Sequence, residues 1–329
     1  MQIAKAISLS VRKRRERVRQ TGHASVSGPP NSPWGKLLRW RPGGFVFLVP
    51  ALASIGAVSI YPVLLGFWLS FRNTTLSSPD DAFIGLTNYQ QLLSDSQFWN
   101  AWIHTIEFMG ASTLLETIIG LGIALVLSER FFGRSIVRAA VLVPWAIPTV
   151  VTSKMFGWLF DGQHGVINYL LRCVGLIHSN LNWYGSPDLA LPTIIIADVW
   201  KTTPFMALLL LAGLQTIPHD LLEAASLDGA TRWQRFWAVR LPLLLPSLLI
   251  AALFRALDAF RIFDLVYVLT GGGPADSTEV LSTLTYKNLF SALRFGYGSA
   301  LSTLMFITEA VVAIAFSLFL FKRLREVKV

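Results

Sequence analysis

Residues 217–242 read IPHDLLEAASLDGATRWQRFWAVRLP, and a long apolar run flanks them on each side, near residues 189–214 and 243–269. A helix that crosses the hydrocarbon core of a bilayer needs about 20 mostly apolar residues, so the stretch is expected to connect two transmembrane helices. The rest of the chain agrees: 53% of its 329 residues are hydrophobic and 14% are charged, whereas a soluble chain carries roughly 25% charged residues. An ordinary soluble enzyme, a disordered regulator and a fibrous repeat are excluded.

Six segments are long and apolar enough to span a bilayer. The second is interrupted by Glu107 and Glu116 and is the weakest of the six. The chain is therefore predicted to be an all-α polytopic membrane protein with a basic tail at residues 1–43, a membrane domain at 44–321 and a short tail at 322–329. The predicted spans lie near residues 44–71, 101–127, 136–160, 189–214, 243–269 and 299–321.

Basic residues alternate between the two sides of this predicted bundle. The two tails and the loops at 128–138 and 214–242 hold 20 of the 28 Lys and Arg residues. Cytoplasmic loops carry an excess of Lys and Arg, so both termini and the 214–242 loop are predicted to be cytoplasmic. The basic run in the N-terminal tail is interpreted as a topology signal that meets anionic lipid rather than as a nucleic-acid-binding arm, and no nucleic-acid partner is expected.

Within the 217–242 loop, the residue order predicts a helix–turn–helix hairpin. Pro218 can open a helix, and Glu223 lies in its early turns, where the helix dipole favours negative charge. Asp228 and Gly229 suit a helix end with a left-handed residue. A second amphipathic segment, Thr231 to Val239, then leads back to the membrane.

This loop resembles the signature of the membrane subunits of ATP-binding-cassette importers. The signature is E-A-A, three residues, G, nine residues, I, one residue and L-P, and the chain departs from it only by Val239 in place of Ile. DVWKTTPF from Asp198, FRALDAFRIFDLVYVLTGGGP from Phe254 and GLTNYQQLL from Gly85 are similar to sugar permeases of the maltose and trehalose type. The resemblance covers roughly residues 40–325 and implies the type I importer permease fold.

The resemblance also implies partners and a location. It implies a multi-pass subunit of the bacterial cytoplasmic (inner) membrane that pairs with a second permease to form one pathway for a sugar. A dimer of cytoplasmic ATPase subunits would bind the ATP and Mg²⁺, and an extracytoplasmic sugar-binding protein would deliver the substrate. The 217–242 loop would couple to the ATPases, through the motif positions Glu223, Ala224, Ala225, Asp228, Gly229, Leu241 and Pro242.

Ten ionisable residues lie within the predicted spans, where a charge costs about 2.5 to 3.5 kcal/mol and is expected to pair or to face a polar pathway. Four of them recur every third residue with alternating sign, and one interpretation is an ion-pair ladder along a single helix that packs the bundle. The ten are Glu107, Glu116, Lys154, Asp198, Lys201, Arg255, Asp258, Arg261, Asp264 and Glu309.

The resemblance also implies a substrate pathway near the bilayer midplane between the fourth and fifth spans. The matching positions in this chain are Asp198, Thr202, Phe205, Asp258, Ala259 and Ile262. The maltose permease has amide and tyrosine character at several of these positions, where this chain has Asp and Phe. This departure disfavours maltose itself, whereas trehalose, another oligosaccharide and a polyol derivative stay open as the sugar.

Neither a nucleotide-binding site nor an assembled active site is evident in the sequence. No G-x-x-x-x-G-K-[ST] loop is present, and the five histidines show no metal-ligand spacing, so neither a metal nor a resident cofactor is expected. The glycine run at 271–273 is interpreted as a helix terminator and turn.

The main alternative function is an ion- or proton-coupled secondary transporter. Such transporters often contain inverted repeats, which we do not find in this sequence. A membrane enzyme fits less well.

Overall fold

The structure, a computed structural model, describes residues 44–76, 81–129 and 131–327. The chain divides into two compact units, residues 1–62 and residues 63–329. The described part of the first unit is helical: α1 covers Gly44–Ile55, a π-helical turn covers Gly56–Ile60, and α2, Tyr61–Leu69, runs on into the second unit. The predicted basic tail at residues 1–43 lies outside the described residues.

The second unit is built from helices and connecting turns. Its described residues contain an isolated β-bridge between Arg72 and Phe83 but no strand, so the all-α prediction is confirmed. After α2 the helices are α3 Thr87–Ser94, α4 Ser96–Ser128, α5 Arg134–Ala146, α6 Thr149–Leu159, α7 Val166–Cys173, α8 Pro187–Gln215, α9 His219–Leu227, α10 Arg232–Arg235, α11 Leu241–Phe260, α12 Asp264–Leu269, α13 Leu281–Tyr286 and α14 Phe295–Val327, with π-helical turns at Phe236–Arg240 and Lys287–Ser291.

The predicted number of spans agrees with this architecture. Among the described residues, five helices are long and apolar enough to cross a membrane, and a bent pair of helices makes a sixth. The second span, in which Glu107 and Glu116 looked disruptive, is the continuous 33-residue helix α4. The last span also exceeds its prediction, because α14 continues to Val327 rather than ending at residue 321.

The third span is not the single helix that its apolar run suggested. Helices α5 and α6 meet at an angle of 91°. The break follows from Pro148, because a proline disfavours helical geometry in the residue before it, and Ile147 has an extended backbone with ψ of 131°. By contrast, Pro192 and Pro204 lie inside α8 without ending it.

The fifth span also ends earlier than predicted. Helix α11 stops at Phe260, and α12 begins at Asp264, so the predicted continuous segment to residue 269 was wrong. The intervening carbonyl of Ile262 accepts a hydrogen bond from the hydroxyl of Ser282, a residue from another segment. A distant side chain therefore satisfies a backbone group that the helix would otherwise have used.

Helices α4, α8 and α11 form the centre of the second unit, with α4 and α8 in the most extensive contact. Small residues allow the close approach, as is usual between membrane helices. A Cβ atom on Gly120 of α4 would lie 2.8 Å from Met206 Cγ of α8, and one on Gly213 of α8 would lie 2.6 Å from Ser247 Cβ of α11. This tight packing brings polar side chains of the three helices together.

Candidate functional site

Arg255 of α11 lies at the centre of a buried polar cluster. Its guanidinium donates through Nε to Glu116 of α4 and through Nη2 to Asp198 of α8. A third donor, Nη1, binds Asp258 Oδ2 at 2.9 Å, one turn further along α11. The fork of donors in an arginine side chain suits this arrangement, because each nitrogen can meet a different carboxylate.

Thr202 of α8 completes the cluster. Its Oγ1 lies 2.7 Å from Glu116 Oε1 and 2.6 Å from the backbone oxygen of Asp198. Thr202 is one turn beyond Asp198 on α8, so both side chains point towards α4 and α11. We call Glu116, Asp198, Thr202, Arg255 and Asp258 the central cluster.

Burial differs sharply within the central cluster. The side chains of Glu116, Asp198 and Arg255 are at most 3% exposed, whereas that of Asp258 is 68% exposed. Removing a charge from water is costly unless the charge is paired and hydrogen-bonded, and one guanidinium meets that need for both buried carboxylates. Asp258 is the member that an approaching solute can reach.

The structure joins three of the six predicted pathway positions, Asp198, Thr202 and Asp258, in this cluster. Phe205, one turn beyond Thr202 on α8, stacks on Trp145 of α5 with ring centroids 5.8 Å apart. The two other positions belong to the packing: Ala259 is buried in the core, and Ile262 packs against the same core cluster.

The interpretation of four charged residues as an ion-pair ladder along a single helix was wrong. Only Arg255 and Asp258 pair along α11, because the helix ends before Arg261. Arg261 instead pairs with Glu309 of α14, with 3.2 Å between Nε and Oε1. Asp264 is exposed in the first turn of the separate helix α12.

Glu116 and Arg255 are functional candidates that the sequence marked only as charges within spans. They lie 139 residues apart in the chain, and no local spacing connects them. The sequence gives one signal for them: an ionisable side chain within a transmembrane span is energetically costly and is expected to pair with an opposite charge. That signal predicts that Glu116 and Arg255 each have a partner, but it does not say which residue the partner is.

The 217–242 segment forms the predicted hairpin at the other candidate site. Helix α9 ends in a Schellman arrangement, in which the N–H of Ala230 donates to Ala225 O at 3.0 Å and that of Gly229 to Ser226 O at 3.1 Å. Gly229 has φ of +80° with open space around its Cβ position. The left-handed backbone, rather than crowding, is therefore what favours glycine here.

The second arm of the hairpin begins with a capping box. Thr231 Oγ1 accepts from the N–H of Gln234, and the Gln234 side chain accepts from the N–H of Thr231. Helix α10, the π-helical turn and α11 then run on without a break, so Leu241 and Pro242 lie at the start of α11. The predicted second segment is thus the first part of the fifth span.

The motif residues of α9 lie at the surface. Glu223, Ala224, Asp228 and Gly229 are exposed, and Ala225 is half-buried. The apolar side chain of Leu227 is 89% exposed.

Within the described residues, no group of three or more His, Cys, Asp or Glu side chains is arranged to hold a metal ion.

Comparisons with known proteins agree with this architecture. The sequence pattern of the family described as "Binding-protein-dependent transport system inner membrane component" matches residues 116–326. The chain is 45% identical to the "Trehalose/maltose transport system permease protein MalF" of Thermococcus litoralis, over 80% of this chain and 88% of the relative. It is 43% identical to the "Trehalose transport system permease protein SugA" of Mycobacterium tuberculosis, over 86% of this chain and 90% of the relative.

A third relative and a solved structure extend these matches. The "Sulfoquinovosyl glycerol transport system permease protein SmoG" of Agrobacterium fabrum is 38% identical over 79% of this chain and 84% of the relative. A chain of a bacterial ABC transporter involved in the import of the acidic polysaccharide alginate superposes with a TM-score of 0.74 at 23% identity, covering 84% of this chain and 94% of that chain. This likeness establishes the fold of an ABC importer permease. The chain therefore belongs to the family of inner membrane components of binding-protein-dependent transport systems.

Proposed function

We propose that this chain is one permease subunit of an ATP-driven importer for a neutral disaccharide, with trehalose as the first candidate. The observation that carries the proposal is the 43–45% identity, over most of the chain, to permeases named for trehalose and maltose transport. A second, similar permease would supply the other half of the pathway. A pair of cytoplasmic ATPase subunits would bind ATP and Mg²⁺, and an extracytoplasmic sugar-binding protein would deliver the substrate.

The proposed ATPase contact is the surface formed by α9 and the turn that follows it. Leu221 and Leu227 are exposed apolar side chains on this short helix, and such side chains favour a partner that removes them from water. Ala224 and Ala225 allow a close approach to the helix backbone. Gly229 turns the chain sharply back into α11, so a push on α9 would reach the span that carries Arg255. Glu223, Asp228, Leu241 and Pro242 complete the proposed coupling set.

The proposed substrate contact is the accessible edge of the central cluster. The carboxylate of Asp258 can accept hydrogen bonds from sugar hydroxyls, while Thr202 and Asp198 lie behind it. The stacked rings of Phe205 and Trp145 offer an apolar surface for the C–H face of a sugar ring. Ala259 and Ile262, which pack in the core, would support this proposed binding surface from behind.

Charge favours a neutral sugar over an anionic one. Three carboxylates of the cluster share the single guanidinium of Arg255. The member that a solute can reach is Asp258, which is 68% exposed, and its carboxylate would repel an anionic sugar such as a uronate or a sulfonate, since like charges repel. We therefore infer that the substrate resembles trehalose more than it resembles alginate or sulfoquinovosyl glycerol.

Uptake of radiolabelled trehalose by the reconstituted complex tests the proposal. The assay contains this chain, the second permease, the ATPase subunits and the binding protein in sealed vesicles. We expect uptake that requires ATP, that persists when a protonophore collapses the proton gradient, and that excess unlabelled trehalose abolishes but an alginate oligosaccharide does not. Uptake driven by a proton gradient without ATP would instead support the secondary-transporter alternative.

A pair of aspartate variants locates the pathway in the same assay. Asp258→Asn keeps the shape of the side chain and removes its charge, and a hydrogen bond to a charged group contributes about 1.5 to 3 kcal/mol. We expect its KM for uptake to rise about tenfold or more. Asp188→Asn, at the exposed start of α8, is the matched control and should leave KM unchanged. Equal KM values for the two variants would remove Asp258 from the pathway.

A further inference from the structure

A π-helical turn places three arginines on one side of the segment that follows the hairpin. The N–H of Leu241 donates to Phe236 O, five residues earlier, which is the bond that defines a π-helix. In such a turn, residues five apart stand nearly above one another, whereas in an α-helix they diverge. Arg235 and Arg240 therefore point the same way, and together with Arg232 they line one cleft of about 350 Å³.

A second, adjoining cleft of about 810 Å³ brings in two more arginines. It is lined by Arg134 and Arg138 of α5, and it shares Glu129, Leu222 and Arg240 with the first cleft. We call the two together the arginine cleft. All five arginines thus face one connected depression beside α9, at the end of the bundle that carries the hairpin.

Few carboxylates offset this positive charge. The arginine cleft is lined by five arginines but only two acidic side chains, Glu129 and Glu223. Among the residues that the structure describes, Arg240 pairs with Glu129 at 3.2 Å, and the other four arginines have no carboxylate oxygen within 4.0 Å. The cleft therefore has an excess of unneutralised positive charge and would attract an anion.

Exposed aromatic side chains occur on the same segments as the arginines. Trp233 of α10 and Trp237 of the π-helical turn are 69% and 52% exposed and lie edge to face with centroids 5.5 Å apart. Phe132, just before α5, and Ile136, in its first turn, are also largely exposed. Tryptophan concentrates at the headgroup level of membranes, so these side chains indicate that the arginine segments lie at the depth of lipid phosphates.

We propose that the arginine cleft binds the phosphate of an anionic phospholipid. The ligand must be negatively charged to match the arginines, and the exposed tryptophans on the same segment indicate that the cleft lies at the depth of lipid headgroups. The cytoplasmic leaflet, to which positive charge assigns this end of the bundle, is the leaflet that carries anionic lipid. This lipid site goes beyond the transport function, and its test does not depend on that function.

Lipid binding to the purified full chain tests the site directly. Native mass spectrometry in a neutral detergent counts bound dioleoylphosphatidylglycerol and dioleoylphosphatidylcholine, which differ only in the headgroup. We expect the wild-type chain to prefer phosphatidylglycerol. Each arginine near a headgroup contributes about fivefold in affinity, so the Arg232→Gln/Arg235→Gln variant should lose about 25-fold of this preference.

A matched variant and a soluble anion separate the possible outcomes. Arg172→Gln/Arg294→Gln removes two exposed arginines outside the cleft and should keep the full preference, while circular dichroism checks that both variants are folded. The proposal is overturned if the wild-type chain binds both lipids equally, or if both double variants lose the preference alike. Displacement of phosphatidylglycerol by an equal concentration of inorganic phosphate would also overturn it, because free phosphate would then be the ligand.

Discussion

Replacement of Arg255 by methionine is expected to destabilise the protein by about 3 to 5 kcal/mol, the cost of removing one partner from a buried ion pair. Glu116 and Asp198 would both be left in the interior without the guanidinium that now binds them. The thermal midpoint of the purified protein in detergent, followed by size-exclusion chromatography after heating, measures the loss. A fall of several degrees or an almost complete loss of folded protein is the expected result.

Two further variants distinguish the loss of charge pairing from the loss of an arginine as such. Arg261→Met removes a guanidinium that is 59% exposed and pairs with Glu309, and an exposed pair contributes only about 0 to 1 kcal/mol. The triple variant Glu116→Gln/Asp198→Asn/Arg255→Met removes the buried charges together and should recover most of the stability. If the triple variant were as unstable as Arg255→Met, charge pairing would not be the reason for the cluster's importance.

Replacement of Gly229 by tryptophan is expected to abolish ATP-coupled uptake while the protein still inserts and folds. The Cβ position of Gly229 faces open space, so the indole would not clash within the chain and would project from the turn beside α9. A bulky group there would hold an ATPase subunit away from the proposed contact. Uptake in the reconstituted complex, compared at equal amounts of inserted protein, is expected to fall at least tenfold.

Gly175 provides a closely matched control for this change. It also has a positive φ, of +75°, and open space around its Cβ position, and it ends α7 with the same two hydrogen bonds, from Gly175 to Arg172 O and from Leu176 to Leu171 O. Tryptophan at either glycine therefore imposes the same backbone strain, about 1 to 2 kcal/mol. Gly175→Trp should retain uptake, and equal losses in the two variants would attribute the effect to strain rather than to coupling.

Local features of the sequence predicted the hairpin well. Pro218, Asp228, Gly229 and Thr231 each act on their immediate neighbours, and the structure shows the helix start, the left-handed turn and the capping box at those positions. The spans were predictable for a similar reason, because about 20 consecutive apolar residues have few alternatives to a membrane helix. The importer signature in the 217–242 loop could be recognised for the same reason, because it consists of residues that are close together in the sequence.

Features that depend on distant contacts were not predictable in this way. No proline or glycine interrupts residues 261–263, and the contact just beyond the end of α11 comes from the hydroxyl of Ser282, which donates to the carbonyl of Ile262. The partners of Arg255 come from α4 and α8, so identifying them requires knowing how three helices pack. The π-helical turn likewise had no sequence signal, although it decides which arginines share a face.

The 91° bend between α5 and α6 lies between these cases. Pro144 and Pro148 both lie within the apolar run that was predicted to form one span at residues 136–160. Both lie at the break, Pro144 near the end of α5 and Pro148 immediately before α6, whereas the prolines of α8 stay inside a continuous helix. The sequence therefore identified the place where a bend was possible, and only the fold determined that it occurs.

Cross-linking from α9 tests most directly whether this surface contacts an ATPase subunit. The chain has one cysteine, the exposed Cys173 at the end of α7, so a Cys173→Ser chain carrying Ser226→Cys can be labelled at a single position with benzophenone maleimide. In a complex active for uptake, illumination should join the label at position 226 to an ATPase subunit, and the same label on the native Cys173 should not reach one. An active complex that gives no ATPase adduct from position 226, or gives one from position 173, would contradict the account.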